Sequence, residues 1–111
     1  MDALSKQNCT ACDASAKLLS TSGIAALMPK VAGWELLEDG GIKKLSRKFL
    51  TKNYVKSVAF ANTVAELAQS INHHPQIVLE YGSVTVIWWS HNIQGLHKND
   101  FIMAAKTSEL F

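Results

Sequence analysis

The sequence predicts an α+β domain in which helices cover one face of a four-stranded antiparallel sheet. Two observations carry this prediction. Apolar residues recur at helical spacing between about residues 53 and 72, and two pairs of β-branched or aromatic runs are each joined by a glycine-containing turn. The order is therefore helix, two strands, helix, two strands, helix, which is typical of a two-layer domain.

Length and composition fit one globular domain. The chain has 111 residues, of which 48% are apolar and 18% are charged. The net charge is only +2, from 11 basic and 9 acidic side chains, so we expect no direct binding of nucleic acid. The longest uncharged run, residues 81–97, is too short to span a bilayer, and the first residues lack the pattern of a secretory signal. We therefore expect a cytoplasmic protein with no membrane span.

Residues 1–20 are rich in Ser, Ala and Lys and show no clear apolar period. They predict a flexible N-terminal arm ahead of a domain formed by residues 21–111. Cys9 and Cys12 lie in this arm at the spacing of half a zinc site or of a redox pair. Because the motifs that would complete either site are missing, we interpret them as an inert reduced pair, with metal or redox use as the open alternative.

The first helix is predicted around residues 22–28, where Ser22 is the expected N-cap and Pro29 ends the apolar period. Residues 33–39 and 42–50 follow as a pair of strands joined by an Asp-Gly-Gly turn. These strands predict the first hairpin.

A long helix, a second hairpin and a last helix complete the pattern. The long helix has one apolar face, formed by Phe60, Val64, Leu67 and Ile71. "IVLEY" and "VTVIWW" flank Gly82-Ser83 as two strands, and a helix is predicted to begin near Asn99. Because "VTVIWW" is apolar at nearly every position, we expect both faces of that strand to be covered by the chain itself, a ligand or a second subunit.

Three histidines and a carboxylate are predicted to meet at the open end of the second hairpin. His73 and His74 precede it, His91 follows it, and Asp100 stands at the start of the last helix. Pro75 holds His74 in extended backbone, which ends the long helix and directs the histidine pair. The fourth histidine, His97, is interpreted as a partly exposed polar residue.

Neutral imidazoles serve both zinc binding and acid-base catalysis, so residue type alone does not separate the two. Adjacent side chains tend to diverge, whereas metal-binding pairs on one element usually share a face. We therefore favour proton transfer, and keep a zinc hydrolase that uses all three histidines as the alternative.

The spacing of these residues resembles the pterin-4a-carbinolamine dehydratase family, also known as the dimerisation cofactor of a hepatocyte homeodomain transcription factor. The matching positions are Gln69, His73-His74-Pro75, Tyr81, His91 and Asp100. The resemblance runs from about residue 24 to the end, and "VTVIWWSHNIQGLHKNDFIMAAK" and the "CTAC" arm are similar to the bacterial branch that accompanies phenylalanine hydroxylase.

The resemblance implies one reaction, the loss of water from a 4a-hydroxytetrahydropterin to give the quinonoid dihydropterin. This reaction recycles the pterin of an aromatic amino-acid hydroxylase. The resemblance implies that His73 and His91 transfer protons, that His74 is a catalytic residue that binds the pterin, and that Asp100 supports the site. It also implies no metal, no separate cofactor, a homodimer or a dimer-of-dimers tetramer, and phenylalanine hydroxylase as a candidate partner.

The expected substrate-binding set consists of His74 and Asp100 together with four further positions: Gln69, Tyr81, Trp89 and Ser90. Gln69 departs from the family, which often has an acidic residue there, and Ile77 stands where animal relatives carry a tryptophan. The alternative to an enzymatic function is a dimerisation or regulatory interaction module without catalysis.

Overall fold

The predicted order of helices and strands is present in the computed structural model, which describes residues 4–7 and 18–111. The elements are α1 (Thr21–Leu27), β1 (Glu35–Asp39), β2 (Ile42–Leu50), α2 (Tyr54–Ile71), β3 (Gln76–Glu80), β4 (Ser83–Trp88) and α3 (Lys98–Leu110). The expected α+β class with a four-stranded antiparallel sheet is confirmed. Cys9 and Cys12 lie outside the described residues.

Two asparagines set the limits of α2. Asn53 accepts a hydrogen bond from a backbone N–H of the first turn, and Asn72 ends the helix in the left-handed conformation with φ 58°. Asparagine tolerates this conformation better than most residues, so the chain turns sharply and carries His73 and His74 away from the helix axis. No helix in the described part of the chain is long and apolar enough to cross a membrane.

Two local features near the start of the domain, a helix cap and a hairpin turn, are explained by the residues that form them. Ser20, and not the expected Ser22, caps α1 by accepting from the backbone N–H of Gly23. Gly40 and Gly41 join β1 to β2 with positive φ values of 59° and 81°. A tight hairpin turn with two positive φ angles favours glycine at both positions, which explains the Asp-Gly-Gly sequence.

The sheet has the order β1-β2-β4-β3, and α2 and α3 contact its two central strands and β3 from one side. The central strand β4 alternates between the two faces. Val84, Val86 and Trp88 are fully buried under the helices, whereas Thr85 and Ile87 on the outer face are half-buried. The chain therefore covers one face of β4 completely and the other only in part.

A short turn at residues 4–6 packs against α3. Leu4 is buried in the core, the Ser5 hydroxyl donates to the Glu109 carboxylate at 2.8 Å, and the Lys106 ammonium donates to the Ser5 carbonyl at 2.9 Å. Residues 4–6 of the predicted arm are therefore attached to the domain, as is Leu19, whose backbone N–H donates to the Leu96 carbonyl at 2.8 Å. Outside the described residues the flexible arm stays a prediction.

Candidate active site

The C-terminal end of α2, the open end of the β3–β4 hairpin and the N-terminal end of α3 meet at one edge of the sheet. Each contributes polar side chains. The residues brought together are Gln69 from α2, His73 and His74 from the connection to β3, Trp89, Ser90 and His91 after β4, and Asp100 from α3.

Asp100 is fully buried and accepts three hydrogen bonds. Its Oδ1 lies 2.7 Å from Nε2 of His73, and its Oδ2 accepts from the Ser90 hydroxyl at 2.7 Å and from the His97 backbone N–H at 2.9 Å. An ionised carboxylate can only accept, so Nε2 of His73 carries the proton in this pair. Asp100 therefore fixes both the orientation and the tautomer of His73.

His73 is 7% exposed, and its ring stacks on the indole of Trp88, with ring centroids 5.5 Å apart and planes 19° apart. Trp88 is fixed in turn, since its Nε1 donates to the Thr107 hydroxyl at 3.0 Å and that hydroxyl donates to the Met103 carbonyl. No buried side-chain nitrogen or oxygen among the described residues lacks a hydrogen-bond partner. Nδ1 of His73, which makes no such bond there, must therefore reach the surface.

His74 and His91 are exposed and linked to each other. Nε2 of His91 donates to the backbone carbonyl of His74 at 3.1 Å, and Nε2 of His74 donates to the side-chain oxygen of Gln69 at 3.0 Å. Neither acceptor has a proton to give, so both rings carry their proton on Nε2. In their neutral forms all three histidines therefore present Nδ1 as the nitrogen that can take up a proton.

Trp89 supports His91 from the outer face of the sheet. The two rings stack with centroids 4.3 Å apart and planes 29° apart. The Lys44 ammonium lies 4.1 Å from the centroid of the same indole, and Lys44 also pairs with Asp39 at 3.4 Å. The predicted binding residue Trp89 thus lies between a cation of β2 and a histidine of the site.

Two predicted substrate-binding residues occupy other positions. Tyr81 is 70% exposed in the turn of the β3–β4 hairpin, at the end opposite His91, so the fold of one chain does not bring it to the histidines. Ser90 is buried and donates its hydroxyl to Asp100, so it supports the carboxylate instead of facing a ligand.

Sequence reasoning missed Lys44 and the main role of His97. Nδ1 of His97 accepts a hydrogen bond from the Asn99 backbone N–H at 3.1 Å, and the backbone N–H of His97 donates to the Asp100 carboxylate. The two bonds form a reciprocal cap at the start of α3. The spacing of three residues between His97 and Asp100 is a sequence indication of such a cap. The position of Lys44 depends on the register between β2 and β4, which the sequence does not show.

The arrangement suits proton transfer. Three imidazoles lie at one edge with their Nδ1 atoms available, and one of them is paired with a buried carboxylate, as in sites where histidine acts as acid or base. Among the residues that the structure describes, no group of three or more His, Cys, Asp or Glu side chains is placed to hold a metal ion.

Comparison with known proteins gives consistent results. Residues 17–110 match the family model described as pterin 4 alpha carbinolamine dehydratase. Relatives from Saccharophagus degradans (45% identical, 100% of this chain, 98% of the relative) and Marinobacter nauticus (48% identical, 100% of both chains) are each named provisionally as pterin-4-alpha-carbinolamine dehydratase.

A solved structure from Brucella melitensis, described as a transcriptional coactivator/pterin dehydratase, shares the fold. Its TM-score is 0.76 at 24% sequence identity, over 85% of this chain and 98% of that chain. At this identity the likeness concerns the architecture of the sheet and helices.

Proposed function

This chain belongs to the pterin-4a-carbinolamine dehydratase family, and we propose that it catalyses the dehydration of 4a-hydroxytetrahydrobiopterin to the quinonoid dihydropterin and water. One observation supports this activity above the others. Three imidazoles meet at the edge of the sheet, each with Nε2 bound to an acceptor of the protein and Nδ1 left for a substrate.

The proposed reaction needs one proton given and one proton taken. The bond between C4a and its hydroxyl oxygen breaks, and the oxygen leaves as water after it receives a proton. The electron pair of N5 forms the new C4a–N5 double bond, and N5 releases its proton. Each transfer through a positioned imidazole contributes about 10²–10⁴-fold to the rate.

We assign proton transfer to His73 and His91. The carboxylate of Asp100 stabilises the positive charge that the His73 ring carries after it takes up a proton, as carboxylates do in other histidine sites. His91 is exposed and can exchange protons with water as well as with the substrate. His74, exposed beside both, is assigned to binding the pterin at the same catalytic edge.

Gln69 supports this assignment although the family often has an acidic residue at its position. Its side-chain oxygen accepts from Nε2 of His74, as a carboxylate oxygen would. The amide therefore keeps the orientation of His74 while it removes a negative charge beside the pterin-binding edge.

The biological setting that we propose is the recycling of pterin for an aromatic amino-acid hydroxylase in the cytoplasm, with phenylalanine hydroxylase as the candidate partner. We also propose a homodimer or a dimer-of-dimers tetramer. Leu37, Leu50 and Val78 lie on the outer sheet face and are exposed, which supports association through apolar surface.

The direct test measures dehydration of 4a-hydroxytetrahydropterin, generated by a hydroxylase, with and without this protein. The wild-type chain should accelerate the reaction, and His73→Ala and His91→Ala should each lower the rate constant by about 10²–10⁴-fold. Lys48→Met, an exposed change on β2, is the control and should retain full activity. Wild-type turnover no faster than in buffer would contradict the proposal and favour the non-catalytic interaction module.

A further inference from the structure

A lysine, an indole and an imidazole contact one another on the outer face of the sheet beside the candidate site. The Lys44 ammonium lies 4.1 Å from the centroid of the Trp89 ring, and the His91 ring stacks on Trp89 at 4.3 Å. Cations are attracted to the electron-rich face of an indole, which of the aromatic side chains gives the strongest such contact.

The register of the sheet explains why Lys44 reaches Trp89. Leu45 of β2 pairs with Trp88 of β4, so Lys44, which precedes Leu45, and Trp89, which follows Trp88, project together to the opposite face. The side chain of Lys44 is only 13% exposed, which is low for a lysine on an outer face. Its partner Asp39 is 81% exposed, and an ion pair with so exposed a carboxylate holds a side chain weakly. Trp89 is therefore the main contact that orders the ammonium group.

Trp89 follows the last residue of β4 and is only partly buried against the core, so a further contact on its ring can restrict the indole. His91 depends on Trp89 in turn, since its ring is exposed and is positioned by one hydrogen bond, to the His74 carbonyl, and by this stack. A single hydrogen bond leaves a ring free to rotate about the bond axis. The indole fixes that remaining rotation.

We infer that Lys44 is a positioning residue of the dehydratase, which holds Trp89 so that the His91 ring faces the substrate. This inference rests on the proposed function, in which His91 transfers a proton. Lys44 itself does not touch the reacting atoms. It acts through the indole, because Lys44 on β2 contacts Trp89 and Trp89 contacts His91 of the candidate site.

The structural part of the inference is tested without any activity measurement. Protons of a ring stacked on an indole are shifted upfield in NMR spectra, so the His91 ring protons should be upfield in the wild-type protein. Lys44→Met should move them toward the values of an unstacked histidine, whereas Lys44→Arg, which keeps the contact with the indole, should leave them in place. Lys48→Met, on the same strand and face, is the matched control. Unchanged His91 resonances in Lys44→Met would overturn the inference.

The functional part is tested by steady-state kinetics of dehydration. Lys44→Met should lower kcat by about two- to fivefold, the loss expected for one exposed cation–π contact, with KM nearly unchanged. Lys44→Arg should restore kcat, and a thermal melt should show that both variants are folded. Full kcat in Lys44→Met would contradict the positioning role, whereas an inactive wild-type protein with shifted His91 resonances would contradict the proposed function alone.

Discussion

His73 and His74 are neighbours in the sequence, but the structure places them in two different environments. The ring of His73 lies between Trp88 and the buried carboxylate of Asp100. The ring of His74 lies at the surface, where its Nε2 donates a hydrogen bond to the exposed side chain of Gln69. The candidate site thus has a buried half, centred on Asp100, and an exposed half that includes His91.

The two halves differ in how they depend on the rest of the fold. A buried carboxylate is stable only when its oxygens are bonded, and Asp100 has three donors: His73 in the connection between α2 and β3, and Ser90 and His97 at the two ends of the loop that leads to α3. The exposed half needs no such compensation, because water can satisfy its polar atoms. Changes in the buried half should therefore alter stability and activity together, and changes in the exposed half should alter activity alone.

The largest effect is expected from Asp100→Asn. The amide cannot accept at both positions, so it either leaves a buried donor unpaired or forces His73 into the other tautomer. We expect kcat to fall by about 10²–10⁴-fold and the free energy of unfolding to fall by about 2–3 kcal/mol. Steady-state kinetics and urea unfolding measure the two effects.

The matched control for this variant is Glu109→Gln, a carboxylate of the same helix that bonds to Ser5 near the surface. It should retain kcat, because it lies at the other end of α3. An Asp100→Asn protein with wild-type activity would show that the carboxylate does not set the tautomer of His73.

A smaller effect on the same half is expected from Ser90→Ala. The substitution removes one of the three donors to Asp100 and should lower the free energy of unfolding by about 1–2 kcal/mol and kcat by about tenfold. Because Ser90 acts through Asp100, the effects of Ser90→Ala and Asp100→Asn should not add in the double variant. Additive effects would instead support the original prediction that Ser90 contacts the substrate.

The smallest effect is expected in the exposed half, from Gln69→Ala. Loss of the acceptor for His74 should raise KM by about two- to fivefold and leave the midpoint of urea unfolding unchanged. Gln69→Glu, which keeps an acceptor oxygen, should retain the wild-type KM within about twofold. If Gln69→Ala destabilised the protein as much as Ser90→Ala does, the division into two halves would be wrong.

The elements that carry the site could be predicted because each has a local cause in the sequence. The apolar period of α2, Asn72 at its end and Pro75 after the histidine pair together determine where His73 and His74 leave the helix. The antiparallel hairpin then brings His91 back to them, as its backbone bond to His74 shows.

The details that the sequence did not predict depend on the direction in which side chains point and on the register between strands. Ser90 and His91 are adjacent, and the chain alone does not indicate which of the two points into the core. The length of the hairpin separates Tyr81 from the site although the spacing of the motif includes it. Lys44 reaches Trp89 through a strand pairing between distant segments, which only the folded sheet reveals.

The bond between His91 and the His74 carbonyl has a consequence for the order of folding. The residues from Gln69 to Asp100 form one continuous segment, less than a third of the chain, and their mutual contacts are close in sequence. Contacts of this kind close smaller loops and form faster than contacts between distant segments. We therefore expect the imidazoles to approach one another while the first strand pair is still unattached, and the final adjustment of His91 to wait until β2 docks and delivers Lys44.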